Sequence, residues 1–306
     1  MEVNPLLKKL GFANTDRVVI FHTDDIGMCQ ASLAAYADLL EVGIISAAAT
    51  MVPCPWFPAT AAFCRENAAR VDMGVHLTLT SEWDSYRWGP LSTRDPNSGL
   101  LDAEGYFPKR NDPVFAAAAL GTTQKPGFAD VARAEIEAQV ARAVAAGIDI
   151  THIDTHMGSV FHPTLLPLYL ETAQRARVPA MLPRLEEAQI RAMGFPAEIA
   201  AYLAAQLETL EAAGLPLLDT ILSVDLGQPE ARLEQTLRLL DTLPVGVSYF
   251  ILHPSKDTPE LRGITPDWRA RVADYQVFCD EALRAYIAQQ GIQVIGYRAV
   301  RDTLRA

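Results

Sequence analysis

Apolar residues in this chain fall into short β-prone runs that alternate with stretches of helical period, and glycine marks the joints between them. A helical pattern ends on Gly and an apolar run follows within a residue or two at Glu41-Val42-Gly43-Ile44-Ile45, Ala145-Ala146-Gly147-Ile148, Ala212-Ala213-Gly214-Leu215 and Gln289-Gln290-Gly291-Ile292. Glycine just past a helix accepts the left-handed conformation that closes it, because it has no Cβ to clash. A helix stop that feeds directly into an apolar run is the αβ joint of a parallel sheet.

The helical windows place Leu33, Tyr36, Ala37 and Leu40 on one face. Ile136, Val140 and Val144 share another, as do Leu233, Leu237 and Leu240, and then Tyr275, Cys279, Ala282 and Tyr286. Strands are expected near 17–22, 45–52, 71–79, 148–154, 178–182, 218–224, 247–252 and 292–297. Most are continuous apolar runs rather than alternations, as in strands covered on both faces. About eight strands alternating with helices predict an α/β fold, a distorted (β/α) TIM-like barrel, with an open doubly wound sheet as the alternative. No repeat or linker divides the chain, so residues 1–306 are expected to form a single domain. One long irregular insertion interrupts the pattern at about 81–124. It carries Trp83, Tyr86, Trp88, Tyr106 and Phe107 among Gly, Pro, Ser and Asp. Loops of that length within a compact domain are usually functional or disordered. Trp83 and Trp88 are candidates to hold a sugar ring, and packing of a lid or a dimer contact is the competing role.

Composition narrows the classes. The chain is 50% hydrophobic and 21% charged, ordinary for a water-soluble globular protein. A net charge of −11 and a pI near 5.0 argue against nucleic acid or an anionic membrane surface as partner. The charge-free stretch 42–64 is broken by Pro53, Pro55 and Pro58, so no membrane span is expected. Cys29, Cys54, Cys64 and Cys279 form no metal-binding or redox pair, and no secretory signal pattern opens the sequence. Both fit a cytoplasmic protein with free thiols. Symmetric homodimers are common among such chains.

Candidate chemistry gathers where the strands should end. His22-Thr23-Asp24-Asp25, Gly74-Val75-His76, His152-Ile153-Asp154-Thr155-His156 and Leu252-His253-Pro254 all lie at or near such positions. Each has an ordinary explanation taken alone. Asp24 and Asp25 could be the acidic first turn of a helix, His76 a satisfied core residue, and His253 a turn histidine. Together they place carboxylates and imidazoles where barrel active sites assemble. In a strand, residues 152, 154 and 156 point to one side, and polar side chains there are costly unless paired or liganded. His156, nearest the strand end, is the better ligand, with Asp154 and His152 as supporting partners. One Asp and two His leave open coordination positions, the arrangement of a catalytic metal site. Zinc is the expected ion, with magnesium, manganese, cobalt or iron as alternatives. No phosphate-binding glycine loop, dinucleotide fingerprint, GxSxG elbow or HExxH motif occurs.

As a set these segments resemble the YdjC-like carbohydrate deacetylases, the group that includes chitooligosaccharide deacetylases. The matching pieces are His22-Thr23-Asp24-Asp25-Ile26-Gly27, Ala49-Thr50-Met51-Val52-Pro53, Gly74-Val75-His76-Leu77-Thr78-Leu79-Thr80, Gly89-Pro90-Leu91, Gly105-Tyr106-Phe107, His152-Ile153-Asp154-Thr155-His156 and Leu252-His253-Pro254. The resemblance spans nearly the whole chain and implies metal-dependent removal of N-acetyl groups from an amino sugar or oligosaccharide. By motif it implies Asp25, His76 and His156 as metal ligands, Asp24 as base and His253 as the acid that protonates the leaving amine. It leaves His22 and His152 in structural or supporting roles. Further histidines often follow the His-x-Asp-x-His segment in the family. Here Gly158 and Val160 stand at two of those positions, with His162 beyond them. The competing functions are a metal-dependent sugar isomerase or epimerase, which would want Glu at strand ends, and a non-catalytic carbohydrate-binding relative.

Overall fold

The computed structural model describes residues 3–120 and 127–306. Its centre is a seven-stranded parallel sheet. The strands are β1 (Arg17–Ile26), β2 (Ala47–Thr50), β3 (Met73–Leu77), β4 (Ile150–Thr155), β5 (Thr220–Ser223), β6 (Gly246–Leu252) and β7 (Gln293–Val294). They run in the order β4-β3-β2-β1-β6-β5, and β7 pairs with the start of β1 at Val18 and Val19. The two edges approach each other through the segment 179–184. Single bridges link Ile153 of β4 to Ala180, and Pro183 to Leu218 just before β5. The expected strand at 178–182 is reduced to these bridges, and the one at 292–297 to two residues. This is the distortion of the barrel.

Strand parity sorts the side chains into two layers. On β1, Val19 and Phe21 pack outward against the helices, while Val18 and Ile20 point inward. Ala47, Leu218, Val247, Tyr249, Tyr297 and Val300 belong to the same inner cluster, closed by Leu6 and Leu7 of the first helix. The period of two then carries polar residues onto the inner face near the strand ends: His22 and Asp24 on β1, His76 on β3, His152 and Asp154 on β4. The lower interior is therefore apolar and the upper interior titratable.

Gly74 on β3 shows how tightly that upper layer is filled. A Cβ at this position would lie 2.5–2.7 Å from the His152 ring, which is itself stacked 4.0 Å from Tyr297. Gly74→Ala is expected to lower stability by about 1–3 kcal/mol, the usual cost of overpacking. Gly263→Ala should not, because a Cβ there meets nothing. Urea unfolding of the two variants checks this.

The helices follow the expected order with shifted faces. In the helix Gln30–Val42 the buried positions are Ala31, Ser32, Ala35, Tyr36 and Leu39, so Leu33, Ala37 and Leu40 flank the buried stripe. The face expected to run from Tyr275 to Tyr286 belongs to two helices, Trp268–Phe278 and Glu281–Gln289. Asp280 breaks it by accepting the Ala282 N–H as an N-cap. The insertion lacks helix or strand until the helix Asn111–Leu120, and its residues 121–124 lie outside the described ones. Among the described residues, no helix is long and apolar enough to cross a membrane.

Candidate metal centre

Adjacent residues of a regular strand face opposite sides, so Asp24 and Asp25 should not share a site. The backbone resolves this at the end of β1. Pairing with β2 is in register through Thr23 and shifts before Ile26, and Asp25 has φ of +61°. A left-handed residue at this irregularity turns the Asp25 carboxylate back toward the barrel axis, where Asp24 already points. Asp tolerates that conformation better than most residues. Gly27 follows with φ of +88°, and the chain turns into the helix beginning at Gln30.

Asp25, His76 and His156 converge. Asp25 Oδ1 lies 3.1 Å from His156 Nδ1 and 3.5 Å from His76 Nε2. The other nitrogen of each ring is held by a carboxylate. His76 Nδ1 is 2.8 Å from Asp154 Oδ1, its register partner on β4, and His156 Nε2 is 3.0 Å from Glu82 Oε2. Asp154 also accepts from the Tyr249 hydroxyl at 2.9 Å. A carboxylate behind a histidine fixes its tautomer and ring orientation for ligation. Asp25 Oδ2 accepts from Arg271 at 2.7 Å, which leaves Oδ1 buried without a hydrogen-bond partner of good geometry. An orphaned, buried carboxylate oxygen facing two ring nitrogens fits a divalent cation. Three ligand atoms from these residues lie within 4.8 Å of one another.

The electrostatics agree. Burial alone would raise the Asp25 carboxyl, but the Arg271 guanidinium and the His156 imidazole hold it well below the usual carboxylate range. Burial opposes charge on His76, yet Asp154 and Asp24 push it up to about 9. His156 rises to about 10, because Glu82 and Asp25 outweigh its burial. Without a cation both imidazoles therefore carry protons at pH 7, and a cation must displace them. Metal binding is expected to release about two protons at pH 7 and to weaken as pH falls, because ligating imidazoles are neutral. Calorimetric titration of metal in buffers of different ionisation enthalpy measures this; uptake without proton release would point to other ligands.

Asp24 and His253 flank the set. Asp24 Oδ2 stands 3.8 Å from both His76 Nε2 and His253 Nε2. His253 follows β6, and its backbone N–H donates to Asp274 Oδ2 at 2.9 Å. Asp274 is itself paired with the buried Arg232 at 2.8 Å. The His253 side chain is 23% exposed, against 10% or less for Asp24, Asp25, His76 and His156, so it faces the opening most.

Trp83 and Trp88 pack beside the site. They are 8% and 3% exposed, and their rings meet edge to face at 5.4 Å. Arg271 lies over Trp83 at 5.5 Å. Trp88 packs 6.3 Å from the His156 ring and donates its indole N–H to Thr80 O at 2.8 Å. They form a buried aromatic wall beside the ligands. His162 stacks on Phe115 and accepts the Thr164 N–H, so it serves the turn. Sequence patterns missed Glu82, Arg271, Asp274 and Arg232. One signal for Arg271 was present: Asp267, Arg271 and Asp274 recur at spacings of four and three along an otherwise apolar helix face.

Comparison with known proteins agrees with this architecture. A family model described as YdjC-like protein matches residues 18–289. A carbohydrate deacetylase of Thermus thermophilus is 32% identical over 98% of this chain and 99% of its own length. One from Thermoanaerobacter pseudethanolicus is 22% identical over 93% of this chain and all of its own. A solved structure described as a cellobiose-phosphate cleavage protein of Enterococcus faecalis V583 superposes with a TM-score of 0.69. It shares 18% identity and covers 93% of this chain and 99% of its own, a likeness of fold.

Proposed function

This chain belongs to the YdjC-like family, and on that premise we propose that it is a metal-dependent carbohydrate deacetylase that hydrolyses the N-acetyl group of an amino sugar or oligosaccharide. The observation that carries this reading is the orphaned Asp25 Oδ1 facing His76 and His156, with Asp24 and His253 on its flank. Asp25, His76 and His156 would hold the cation. A divalent ion there supplies Lewis-acid polarisation of the amide carbonyl and makes water a better nucleophile near neutral pH. Zinc is the proposed ion, because two imidazoles and one carboxylate with open positions are its usual catalytic donors. Magnesium, manganese and cobalt are its competitors in elemental analysis and reconstitution.

The chain's own residues divide the proton work. Asp24 Oδ2 takes the proton of the attacking water as the new C–O bond forms. His253, the most exposed of the group, gives a proton to the sugar nitrogen as the C–N bond breaks, releasing acetate and a free amine. Arg271 and Glu82 keep Asp25 and His156 in place, and the tryptophan wall limits entry of bulk water. Glu82 comes from the insertion and not from a strand end, so the pattern expected of a sugar isomerase is absent among these ligands. Free buried thiols at Cys29, Cys54 and Cys64 support a reducing, cytoplasmic setting. The test is acetate release from N-acetylated mono- and oligosaccharides by metal-loaded protein. Isomerised or epimerised sugar without acetate would replace this reading, and binding without turnover would point to a non-catalytic relative.

A further inference from the structure

Behind Asp24 lies a histidine pair that the proposed chemistry does not use. His22 and His152 are fully buried. His22 Nδ1 is 2.7 Å from Asp24 Oδ1, and His22 Nε2 is 2.8 Å from His152 Nε2. His152 Nδ1 is in turn 3.0 Å from Thr151 Oγ1. Rings brace both: His22 packs 4.7 Å from Tyr249, and His152 stacks on Tyr297 over the glycine at 74. Asp154 Oδ2 also approaches His22 Nε2, at 3.6 Å, which is too long for a hydrogen bond.

The direction of the bond to Asp24 follows from what each group can donate. An ionised carboxylate only accepts, so His22 presents Nδ1–H to Asp24. The second bond of the chain joins His22 Nε2 to His152 Nε2, so one of the two rings carries a proton there. Neutrality of the inner ring fits its surroundings, since burial pushes His152 well below the usual histidine range. The ring that donates to Asp24 Oδ1 is thus itself held from behind by a second buried ring.

We propose that His22, backed by His152, is the positioning residue for Asp24, holding Oδ1 so that Oδ2 alone faces the reacting atoms. Asp24 Oδ2 is the oxygen that stands 3.8 Å from both His76 and His253. Without the His22 donor the carboxylate is free to rotate about its own axis, and the proton acceptor is lost to the site for part of the time. This role rests on the deacetylase reading for its kinetic consequence, but the bond polarity does not.

Two measurements separate the claims. Long-range 1H–15N correlation spectra of the full-length protein, assigned with His22→Asn and His152→Gln, should show His22 protonated at Nδ1. A His22 without a proton on Nδ1 overturns the arrangement, whether or not the protein turns over substrate. In the acetate assay, His22→Leu is expected to lower kcat about 10- to 100-fold, as loss of an orienting partner does, with KM and metal content unchanged. His22→Asn, whose side-chain N–H can replace Nδ1–H, should restore most of kcat. Equal losses in the Leu and Asn variants, or full activity in the Leu variant, overturn the positioning role. If the Leu variant does not fold, the Asn variant decides: the proposal requires it to keep most of the wild-type kcat. Absence of acetate release by the wild type would count against the deacetylase reading and leave the tautomers to be judged by the spectra.

Discussion

His76→Ala is expected to strip the protein of its metal and of its hydrolytic activity together. The ring sits between Asp154, which fixes Nδ1, and the space shared with Asp25 Oδ1 and His156 Nδ1. Its loss leaves one imidazole and one carboxylate as protein donors. Losing a hydrogen-bonding partner behind a ligand typically costs about 10–100-fold in affinity or activity. Loss of the ligand itself should exceed that range. Elemental analysis of purified wild-type protein should give one metal per chain, and the variant little or none, with acetate release falling in parallel. Stoichiometric metal in His76→Ala would remove this residue from the centre. Circular dichroism distinguishes metal loss from unfolding, since the alanine also leaves Asp154 with only Tyr249.

Asp24→Asn should separate metal from catalysis. Asp24 is the one carboxylate of the cluster with an oxygen toward both His76 and His253 and the other oxygen tied back to His22. The amide is nearly isosteric but has no useful basicity. General-base assistance contributes about 10²–10⁴-fold, so kcat should fall by about that factor while metal content and KM stay near wild type. Asp25→Asn should do the reverse at the first step and lose the metal, because its Oδ1 is the orphaned oxygen. If the two variants behave alike, the division of labour between these neighbours fails. Steady-state kinetics together with metal content give the answer from a single pair of preparations.

The split between Asp24 and Asp25 also shows where sequence reasoning reaches its limit. Parity along β1 correctly sends Val18, Ile20, His22 and Asp24 to one face, because side chains alternate with period two. It places Asp25 on the other. Only the register shift after Thr23 and the left-handed Asp25 bring both carboxylates to the axis. The same parity groups His152 and Asp154 on the inner face of β4, where Asp154 meets His76 across the sheet. Yet His152 belongs to the chain behind Asp24 and not to the metal set, a distinction made by depth in the barrel.

Local chemistry therefore determined much of this protein in advance. Glycine stops, apolar runs and helical spacing specify a parallel α/β architecture, since each reflects steric or burial preferences that act over a few residues. The titratable residues at strand ends were legible for the same reason. The closure of the sheet through 179–184 was decided by the tertiary structure. So were the burial of Trp83 and Trp88, and the recruitment of Glu82 and Arg271 from elements far away in sequence. Such contacts depend on which long-range approach leaves no buried charge unpaired, and no local spacing encodes that choice. Desolvation makes the ion pairs around Asp25 and His156 obligatory, and the folded chain alone determines which carboxylate and which guanidinium supply them.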